Sequence, residues 1–472
     1  MKSLQRMHTL HDPQCRGLTL GDIIAWGRGV SGLPSAAHGR RVATVWNDSR
    51  KVTPGDVFVA IATENDDGHR YVRAAFAAGA AAAIVSRKES VECAARDRKK
   101  LITVTDPLRA VQRIATLYRR NLGILLIAVT GSSGKTTTRN FIASVLRTAL
   151  PVGETYTNWN NHIGVPLSVL RFTGEDLAGV IEMGANHTGE ISALSKVAEP
   201  DVGVITNIGY AHVGLFGSLV GTTRAKFEIV DGLNRNNGFL LLNGDDGRLV
   251  AHARTIKAPA VYFGLSADCD VRAENVRFDL RRGLEFAVDG SNFRLQVAGR
   301  HFIYSALPAV FLGRRCGIPD AKIAKALAAQ RPFNMRGTVE KRKGVTFILD
   351  CYNANPSSMK NAVAMLADIA DPGRRVAVVG DMLELGKYAK RLHHELGGML
   401  VDGGVHKVIA AGQFAEDVAD GAKKAGMDRK KIFTAAGPEE AAAMAKSIVE
   451  PGDVVLLKGS RGVHLETVLE KF

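Results

Sequence analysis

The stretch ILLIAVTGSSGKTTT, Ile124 to Thr138, contains the most informative pattern in this chain. Its first six residues, 124–129, form an apolar run that is typical of a buried parallel strand. A glycine-rich turn follows at once, and the apolar positions after it predict a helix through Phe141 and Leu146. A strand, a glycine turn and a helix in this order predict a phosphate-binding loop, because the turn and the start of the helix present backbone N–H groups to an anion.

The residues of this loop fit a nucleoside triphosphate. Lys135 can reach the outer phosphates, and the Thr136 hydroxyl is a ligand of the kind that holds Mg²⁺ in such loops. The motif is the short GxxGKT form, since Val129 stands where the longer form has its first glycine. A chance glycine turn is the alternative, which the flanking strand and helix disfavour. We therefore expect the nucleotide to contact Thr130, Gly131, Ser132, Ser133, Gly134, Lys135, Thr136 and Thr137.

Length and charge bound the possibilities. At 472 residues the chain is too long for one hydrophobic core and fits two to four domains. Its formal net charge of +15 raises the alternative of a nucleic-acid-binding protein. The basic residues are dispersed, however, and aromatic residues make up only 6% of the chain, which is little for base stacking. We expect the charge to attract small polyanionic substrates rather than nucleic acid.

Cysteine usage and hydropathy indicate the compartment. The five cysteines are scattered without a CxxC pair, which argues against a disulfide framework or a thiolate zinc site. The sequence contains no run of eighteen apolar residues, and its first residues, MKSLQRMHTLHD, have no apolar signal core. We therefore expect a cytoplasmic protein without a membrane span.

The alternation of apolar runs and helical patterns predicts an α/β protein of three units. Residues 1–122 form a small α/β unit, 123–333 a unit with a parallel sheet, and 334–472 a second doubly wound α/β unit. The predicted strands of the second unit are 124–129, 178–183, 202–206 and 238–242, and those of the third are 345–349, 375–379, 405–411 and 454–457. Residues 258–299 predict an antiparallel meander attached to the second unit. Two facing α/β units imply a cleft that closes on nucleotide and substrate.

Polar residues follow the predicted strands of the second unit. Glu182 ends the run that contains Val180 and Ile181, Asn207 follows the next strand, and His212 lies in the loop beyond. In parallel sheets, ligands bind at the carboxyl ends of the strands. A carboxylate and an imidazole beside a phosphate loop suit divalent cations, so these residues predict a metal site.

Beyond this general pattern, eight motifs occur in order along the chain: TGSSGKTT, NWNNHIGVP, EMGANHTGEI, TNIGYAHVGLFGS, AKFEI, DCYNANPSSM, GDMLELG and LLKGSRG. Together they resemble the Mur ligases, which are ATP-dependent amide-bond ligases of bacterial cell-wall precursor synthesis. The resemblance spans the chain from about Asp48 onwards. DSRKVTPGDVFVAI, YNANP and GDMLELG are most similar to the members that add D-alanyl-D-alanine to a UDP-linked muramoyl tripeptide. It implies an N-terminal UDP-substrate-binding domain, a central ATP-binding domain and a C-terminal Rossmann-like domain.

The resemblance implies ATP and two Mg²⁺ ions as cofactors. Thr136 and Glu182 correspond to ligands of one ion, and His212 to a ligand of the second. Lys226 in AKFEI matches a lysine that is carbamoylated in the family, which turns a cation into a carboxylate-like ligand. The catalytic residues implied are Lys135, Glu182, His212, Lys226 and Arg336.

The resemblance also implies binding residues and an oligomeric state. Asn207 matches an adenine-contacting position, and Arg336 and Asp350 match contacts to phosphate and ribose. The UDP-linked muramoyl peptide and D-alanyl-D-alanine are the implied small-molecule substrates, and a monomer is expected. The implied substrate-binding residues are Ser49, Arg50, Asn158, Asn160, Asn161, Asn353, Asn355 and Ser357.

The chain departs from the family pattern at three positions. Thr157 replaces a glycine, Phe302 stands where GRHN has its asparagine, and Ser305 replaces a second asparagine. One alternative is therefore a related ligase that joins another amine to another carboxylate, such as a polyglutamate- or cyanophycin-type enzyme. A non-catalytic scaffold or a nucleic-acid-dependent NTPase is another alternative. The presence of Lys135 and Glu182 disfavours the scaffold.

Overall fold

The computed structural model describes residues 17–87, 91–279, 282–331, 335–369 and 374–472. Cys15 and the predicted boundary at 333/334 lie outside these ranges. The described residues form three mixed or parallel sheets with helices and one small antiparallel sheet, which confirms the predicted α/β class. Each predicted unit contains one of the larger sheets, and the exact unit boundaries stay a prediction. Among the described residues no helix combines the length and the apolar character needed to cross a bilayer.

The first sheet has five strands in the order β1-β5-β4-β3-β2, with β1 antiparallel at its edge. The last helix of this unit ends at Leu122 and is capped by Gly123, whose positive φ of 61° stops the helix shortly before the phosphate-loop strand. The elements are β1 Val30–Ser31, β2 Val45–Trp46, β3 Val57–Val59, β4 Ala82–Val85 and β5 Leu101–Thr103, with α1 Leu20–Gly27, α2 Ser35–His38, α3 Val72–Ala77 and α4 Pro107–Leu122.

The central sheet has seven parallel strands in the order β12-β11-β10-β9-β6-β8-β7. The phosphate-loop strand β6 lies between β8 and β9, as expected for a strand that is apolar throughout. The strands are β6 Leu125–Thr130, β7 Val152–Glu154, β8 Ala178–Glu182, β9 Val202–Ile205, β10 Phe239–Asn243, β11 Ala260–Gly264 and β12 Val271–Arg272. The helices are α5 Lys135–Leu146, α6 Gly164–Val169, α7 Glu190–Ala198, α8 Val213–Phe216, α9 Leu219–Phe227, α10 Gly247–Ala253, α11 Ile303–Arg315 and α12 Asp320–Ala328.

The predicted meander over 258–299 is wrong in its first part. β11 extends the central sheet in parallel, because α10 forms a crossover from β10 that carries the chain back to the same end of the sheet, and β12 pairs in parallel with β11. Only the later residues form an antiparallel sheet, with β13 Glu274–Asp279, β14 Gly283–Val288 and β15 Ser291–Leu295. Because α10 was not predicted from the sequence, the parallel connection from β10 to β11 was not predicted either.

The third sheet has six strands in the order β16-β17-β21-β18-β19-β20, with β16 antiparallel at one edge. The two edge strands, β16 and β20, were not predicted because they are only partly buried and lack a continuous apolar run. The strands are β16 Thr338–Arg342, β17 Val345–Leu349, β18 Arg375–Gly380, β19 Lys407–Ala411, β20 Ile432–Ala435 and β21 Val454–Lys458. The helices are α13 Pro356–Ile369, α14 Ala389–Asp402, α15 Ala415–Lys424, α16 Pro438–Ile448 and α17 Thr467–Lys471.

Candidate active site

The glycine-rich loop between β6 and α5 has the conformation that its sequence predicts. Gly131 has φ +142°, and a Cβ added there would stand 2.0 Å from Thr206 Oγ1, so this position requires glycine. Gly134 has φ +78° and precedes α5, which begins at Lys135. The Lys135 ammonium donates a hydrogen bond to the Gly131 carbonyl at 2.9 Å, and burial lowers its pKa. The lysine is thus held over the loop where a phosphate would bind.

Residues at the end of β9 hold the loop from below. The backbone N–H of Ser133 donates to Asn207 Oδ1 at 3.1 Å, and the Thr206 hydroxyl donates to the Ser133 carbonyl at 2.6 Å. The Asn207 amide nitrogen donates to the same carbonyl at 3.1 Å. Both ends of the Asn207 amide therefore fix the loop, and its contact to adenine stays a prediction.

Glu182 lies beside the first turn of α5. The Thr136 hydroxyl donates to Glu182 Oε2 at 2.8 Å, and Asn160 Nδ2 donates to Oε1 at 2.9 Å. Glu182 is only 4% exposed. A hydroxyl and a carboxylate oxygen in contact, next to a phosphate loop, fit Mg²⁺, which takes few protein ligands and completes its shell with phosphate oxygens and water.

The two residues predicted for a second ion differ in their placement. His212 has φ +56°, borders the cleft and contacts the Glu384 carboxylate of the third unit through Nδ1, and burial lowers the pKa of the imidazole. Lys226 lies on α9, is 1% exposed and packs its ammonium 5.0 Å from the centre of the Phe216 ring. Burial lowers the pKa of Lys226 to about 7. Lys226 thus stands behind the cleft wall rather than in its lining.

The third unit contributes the opposite wall of the cleft. The Arg336 guanidinium stacks 4.3 Å from the Tyr352 ring centre. Lys458 Nζ donates to Asp350 Oδ2 at 2.7 Å and to the Asn353 carbonyl at 3.1 Å, and Lys458 is 1% exposed. Burial raises the pKa of Asp350, against the opposing effect of the Lys458 ammonium.

These walls enclose a cleft of about 1240 Å³ between the central and third units. Most of the predicted site residues, although far apart in the sequence, line this cleft. They are Ser132, Ser133, Gly134, Lys135, Thr136, Thr137, Asn158, Asn160, Asn161, Glu182, Asn207, His212, Arg336, Asp350, Asn353, Asn355 and Ser357.

Five predicted residues lie outside the lining of this cleft. Gly131 and Lys226 lie behind it, and the Thr130 hydroxyl donates to the Met183 carbonyl at 2.9 Å, which ties β6 to the end of β8. Ser49 and Arg50 form a turn of the first unit, where Arg50 binds the Asp48 carboxylate at 2.9 Å and 3.0 Å. Their contact with a substrate stays a prediction.

Several lining residues were missed from the sequence. Lys458 follows a predicted strand, and a lysine at that end of a parallel sheet was a usable signal. Asp245 lies in NGDDG after β10, where it accepts from the Tyr304 hydroxyl at 2.9 Å and from Leu265 N at 2.7 Å. His301 lies next to Phe302 on the same wall. His301 is the retained histidine of the GRHN pattern, which was a usable signal, whereas no pattern in the sequence indicated Tyr304.

Two of the three departures from the family pattern are satisfied inside the fold. Phe302 is 5% exposed and stacks on Phe141 of α5 with ring centres 6.4 Å apart. Ser305 accepts a hydrogen bond from the Thr138 hydroxyl at 3.0 Å. Both residues border the cleft, but these contacts are made to α5. Thr157 differs, because it takes the left-handed conformation with φ +49°.

Comparison with known proteins agrees with this architecture. The family models "Mur ligase family, catalytic domain", "Mur ligase middle domain" and "Mur ligase, glutamate ligase domain" match residues 41–119, 129–313 and 335–461. The UDP-N-acetylmuramoyl-tripeptide–D-alanyl-D-alanine ligase of Bacillus subtilis is 34% identical over 429 residues, which cover 90% of this chain and 92% of the relative.

Solved structures are similar over the same length. A crystal structure of MurF from Acinetobacter baumannii has a TM-score of 0.85 and 31% identity, and the match covers 96% of this chain and 98% of that one. MurF ligase from Thermotoga maritima in complex with ADP has a TM-score of 0.79 and 30% identity, with coverages of 91% and 97%. The chain therefore belongs to the Mur ligase family.

Proposed function

We propose that this chain is an ATP-dependent, ADP-forming ligase that adds D-alanyl-D-alanine to UDP-N-acetylmuramoyl-tripeptide during peptidoglycan precursor synthesis. The observation that carries the proposal is the similarity, over nine-tenths of the chain, to relatives that bear this activity in their names. The cleft supports it, because the phosphate loop and the third unit face each other across a space large enough for a nucleotide and a peptide. The reaction belongs in the cytoplasm, where its nucleotide substrates are, and a monomer suffices for it.

The first chemical step moves a phosphoryl group. A carboxylate is a poor acyl donor, so its oxygen attacks the γ-phosphorus of ATP, ADP leaves, and an acyl phosphate forms. Phosphoryl transfer needs positioning and charge neutralisation more than a side-chain nucleophile. Lys135 on one wall and Arg336 on the other bring positive charge to the cleft for this purpose.

Mg²⁺ bound between Thr136, Glu182 and the phosphates would neutralise charge on the transferred group. A second ion is proposed at His212, with Lys226 as a ligand once it is carbamoylated. The lowered pKa of Lys226, about 7, supports this, because the neutral amine is the form that reacts with CO₂. In this arrangement Asn160 orients the Glu182 carboxylate by its hydrogen bond.

The second step forms the amide bond. The free amine of the dipeptide attacks the acyl phosphate, and the tetrahedral intermediate expels phosphate. Asn353, Asn355 and Ser357 on the third unit border the cleft and are proposed to hold the dipeptide end of the reaction. Ser49 and Arg50 on the first unit are proposed to contact the UDP-linked end.

A phosphate-release assay with purified protein tests the function. Release is expected only when ATP, Mg²⁺, UDP-N-acetylmuramoyl-tripeptide and D-alanyl-D-alanine are all present, and Lys135→Met should abolish it. Release that does not depend on the dipeptide would contradict the proposal. A panel of other amines distinguishes the proposed function from a related ligase with a different amine substrate. Phe302 and Ser305 pack inside the fold, so these two departures give no reason to expect a different amine.

A further inference from the structure

Three aromatic rings join the first unit to the central unit. Trp46 at the end of β2 lies 5.4 Å from Tyr156 and 5.5 Å from Trp159, measured between ring centres, and the latter two are 4.8 Å apart. All three contacts are edge-to-face or close to it, the arrangement that the ring quadrupoles favour. We call these residues the aromatic triad. It makes the position of the loop at 156–159 depend on the first sheet.

Two cations brace the triad. The Arg171 guanidinium lies 4.7 Å from the Trp46 ring centre and 4.3 Å from that of Tyr156. The Lys51 ammonium lies 5.5 Å and 5.3 Å from the same two rings. Arg171 Nη1 is buried and has no hydrogen-bond partner within the described part of the chain, so the rings are its main observed partners. Cation–π contacts of this kind strengthen as water is excluded.

The triad continues directly into the predicted metal site. Trp159 N donates to the Tyr156 carbonyl at 3.0 Å, and the next residue is Asn160, whose side chain donates to Glu182. Gly184 N donates to the Asn160 carbonyl at 2.8 Å, which fixes the same residue from the β8 side. A shift of the Trp159 ring therefore moves the amide that orients Glu182.

The loop adopts a conformation that its own sequence disfavours. Thr157 lies between two triad residues at φ +49°, and a β-branched residue rarely takes this left-handed conformation. Arg139 Nη1 holds the turn by donating to the carbonyls of Thr155 at 3.3 Å and Thr157 at 3.2 Å. The turn is therefore held by contacts from outside its own backbone, namely those of Arg139 and the packing of Tyr156 and Trp159 in the triad.

We propose that Trp46 and Trp159 are positioning residues, which hold Asn160 against Glu182 and thereby couple the first unit to the binding of Mg²⁺. The proposal rests on the proposed function, because it assigns Mg²⁺ binding to Glu182. It extends that function to a tryptophan on the first sheet, which does not line the cleft. Its consequence is that Mg²⁺ dependence is set in part by a contact between two units.

The three tryptophans of the chain, Trp26, Trp46 and Trp159, supply matched variants. In Trp46→Leu and Trp159→Leu we expect kcat to fall about tenfold and the Mg²⁺ concentration for half-maximal activity to rise severalfold, because the carboxylate loses its orientation. The KM for D-alanyl-D-alanine should stay within about twofold, since the dipeptide end is untouched. Trp26→Leu, in α1, should leave the Mg²⁺ dependence unchanged.

Two further variants separate positioning from general stability. Trp159→Phe keeps a ring and should retain most of the activity, and Thr157→Gly should lessen the defect of Trp46→Leu, because an unstrained turn needs less packing. If circular dichroism shows that a leucine variant is unfolded, Arg171→Leu replaces it in the test. This variant should raise the Mg²⁺ concentration for half-maximal activity by a smaller factor. A folded Trp46→Leu protein with parental kcat and Mg²⁺ dependence would overturn the proposal.

Calorimetric titration of Mg²⁺ into the protein with ADP present separates this proposal from the proposed function. The titration needs no muramoyl substrate or dipeptide. If the parent protein does not join D-alanyl-D-alanine to the tripeptide, the proposed function fails. Weaker Mg²⁺ binding in Trp46→Leu than in Trp26→Leu would still support the positioning role. Equal Mg²⁺ affinity in the parent and in the folded Trp46→Leu protein refutes it.

Discussion

Burial sets the charge state of His301, a single residue in the lining of the cleft. His301 packs against the Phe302 ring, with ring centres 4.4 Å apart, and burial lowers its pKa to about 4, with a further contribution from the Lys458 ammonium. A histidine with such a pKa is neutral in the folded protein at neutral pH. Its ordinary pKa of about 6.5 returns when the chain unfolds.

This difference predicts a pH dependence of stability. Between about pH 6.5 and pH 4 the unfolded state binds a proton at His301 that the folded state does not, so the free energy of unfolding falls as the pH falls. Above about pH 6.5 His301 is neutral in both states and does not change the free energy of unfolding with pH; between pH 6.5 and pH 4 it lowers that free energy by at most about 1.4 kcal/mol per pH unit. In His301→Gln, denaturant titrations at several pH values should show a shallower slope over this range. An unchanged slope in His301→Gln would contradict this prediction.

At the scale of elements, the unit formed by β6, the loop and α5 fixes the site. The loop glycine Gly131 lets the chain pass close to Thr206, and α5 then carries Lys135 and Thr136 to the cleft. The neighbours β8 and β9 end at the same edge of the sheet and bring Glu182 and Asn207 beside the loop. Three strand ends therefore assemble the phosphate and metal residues.

Gly131→Ala tests this arrangement. The added methyl group meets Thr206 Oγ1 and the residue is forced to a positive φ, so we expect a loss of about 1–3 kcal/mol in stability and weaker ADP binding. Gly290→Ala is the control, because Gly290 also has a positive φ of 80° but open space around it. The control should lose about 1 kcal/mol and bind ADP as the parent does. Equal ADP binding in the two variants would show that the close approach to Thr206 is not needed.

The parts of the fold that could be predicted are those with a local signal. The apolar run before TGSSGKTT, the glycines and the amphipathic helix are all local, and the rule that ligands lie at strand ends placed Glu182 and His212 in the cleft. The edge strands β16 and β20 have weak patterns because one face is open to solvent. The parallel pairing of β11 depends on α10, and the burial of Lys226 depends on packing with Phe216. Neither feature can therefore be predicted from the local sequence alone.

At the scale of the whole molecule, the loop GDMLELG of the third unit contacts the loop that carries His212. The Glu384 carboxylate contacts His212 Nδ1, and the Glu384 carbonyl accepts a hydrogen bond from Gly214 N at 3.1 Å. The Tyr388 hydroxyl donates to the Gly217 carbonyl at 3.0 Å. A Cβ on Gly214 would stand 2.7 Å from Gly386 N, so the two backbones meet without room for a side chain. These contacts hold the two cleft walls at their present separation.

Gly214→Ala should therefore move the third unit away from the central unit. We expect a larger radius of gyration by small-angle X-ray scattering and a kcat about tenfold lower, because the phosphate and acceptor walls no longer meet in register. Gly398→Ala on α14, which has open space around it, should change neither quantity. Parental kcat and scattering in Gly214→Ala would show that this contact does not set the width of the cleft.

Isotope transfer from the tripeptide carboxylate tests the acyl phosphate directly. UDP-N-acetylmuramoyl-tripeptide labelled with ¹⁸O in its terminal carboxylate is incubated with the protein, ATP, Mg²⁺ and D-alanyl-D-alanine, and the released phosphate is analysed by mass spectrometry. An acyl phosphate intermediate transfers one carboxylate oxygen to each phosphate, so we expect one ¹⁸O atom per phosphate released. Phosphate without label, formed while ATP is consumed, would contradict it.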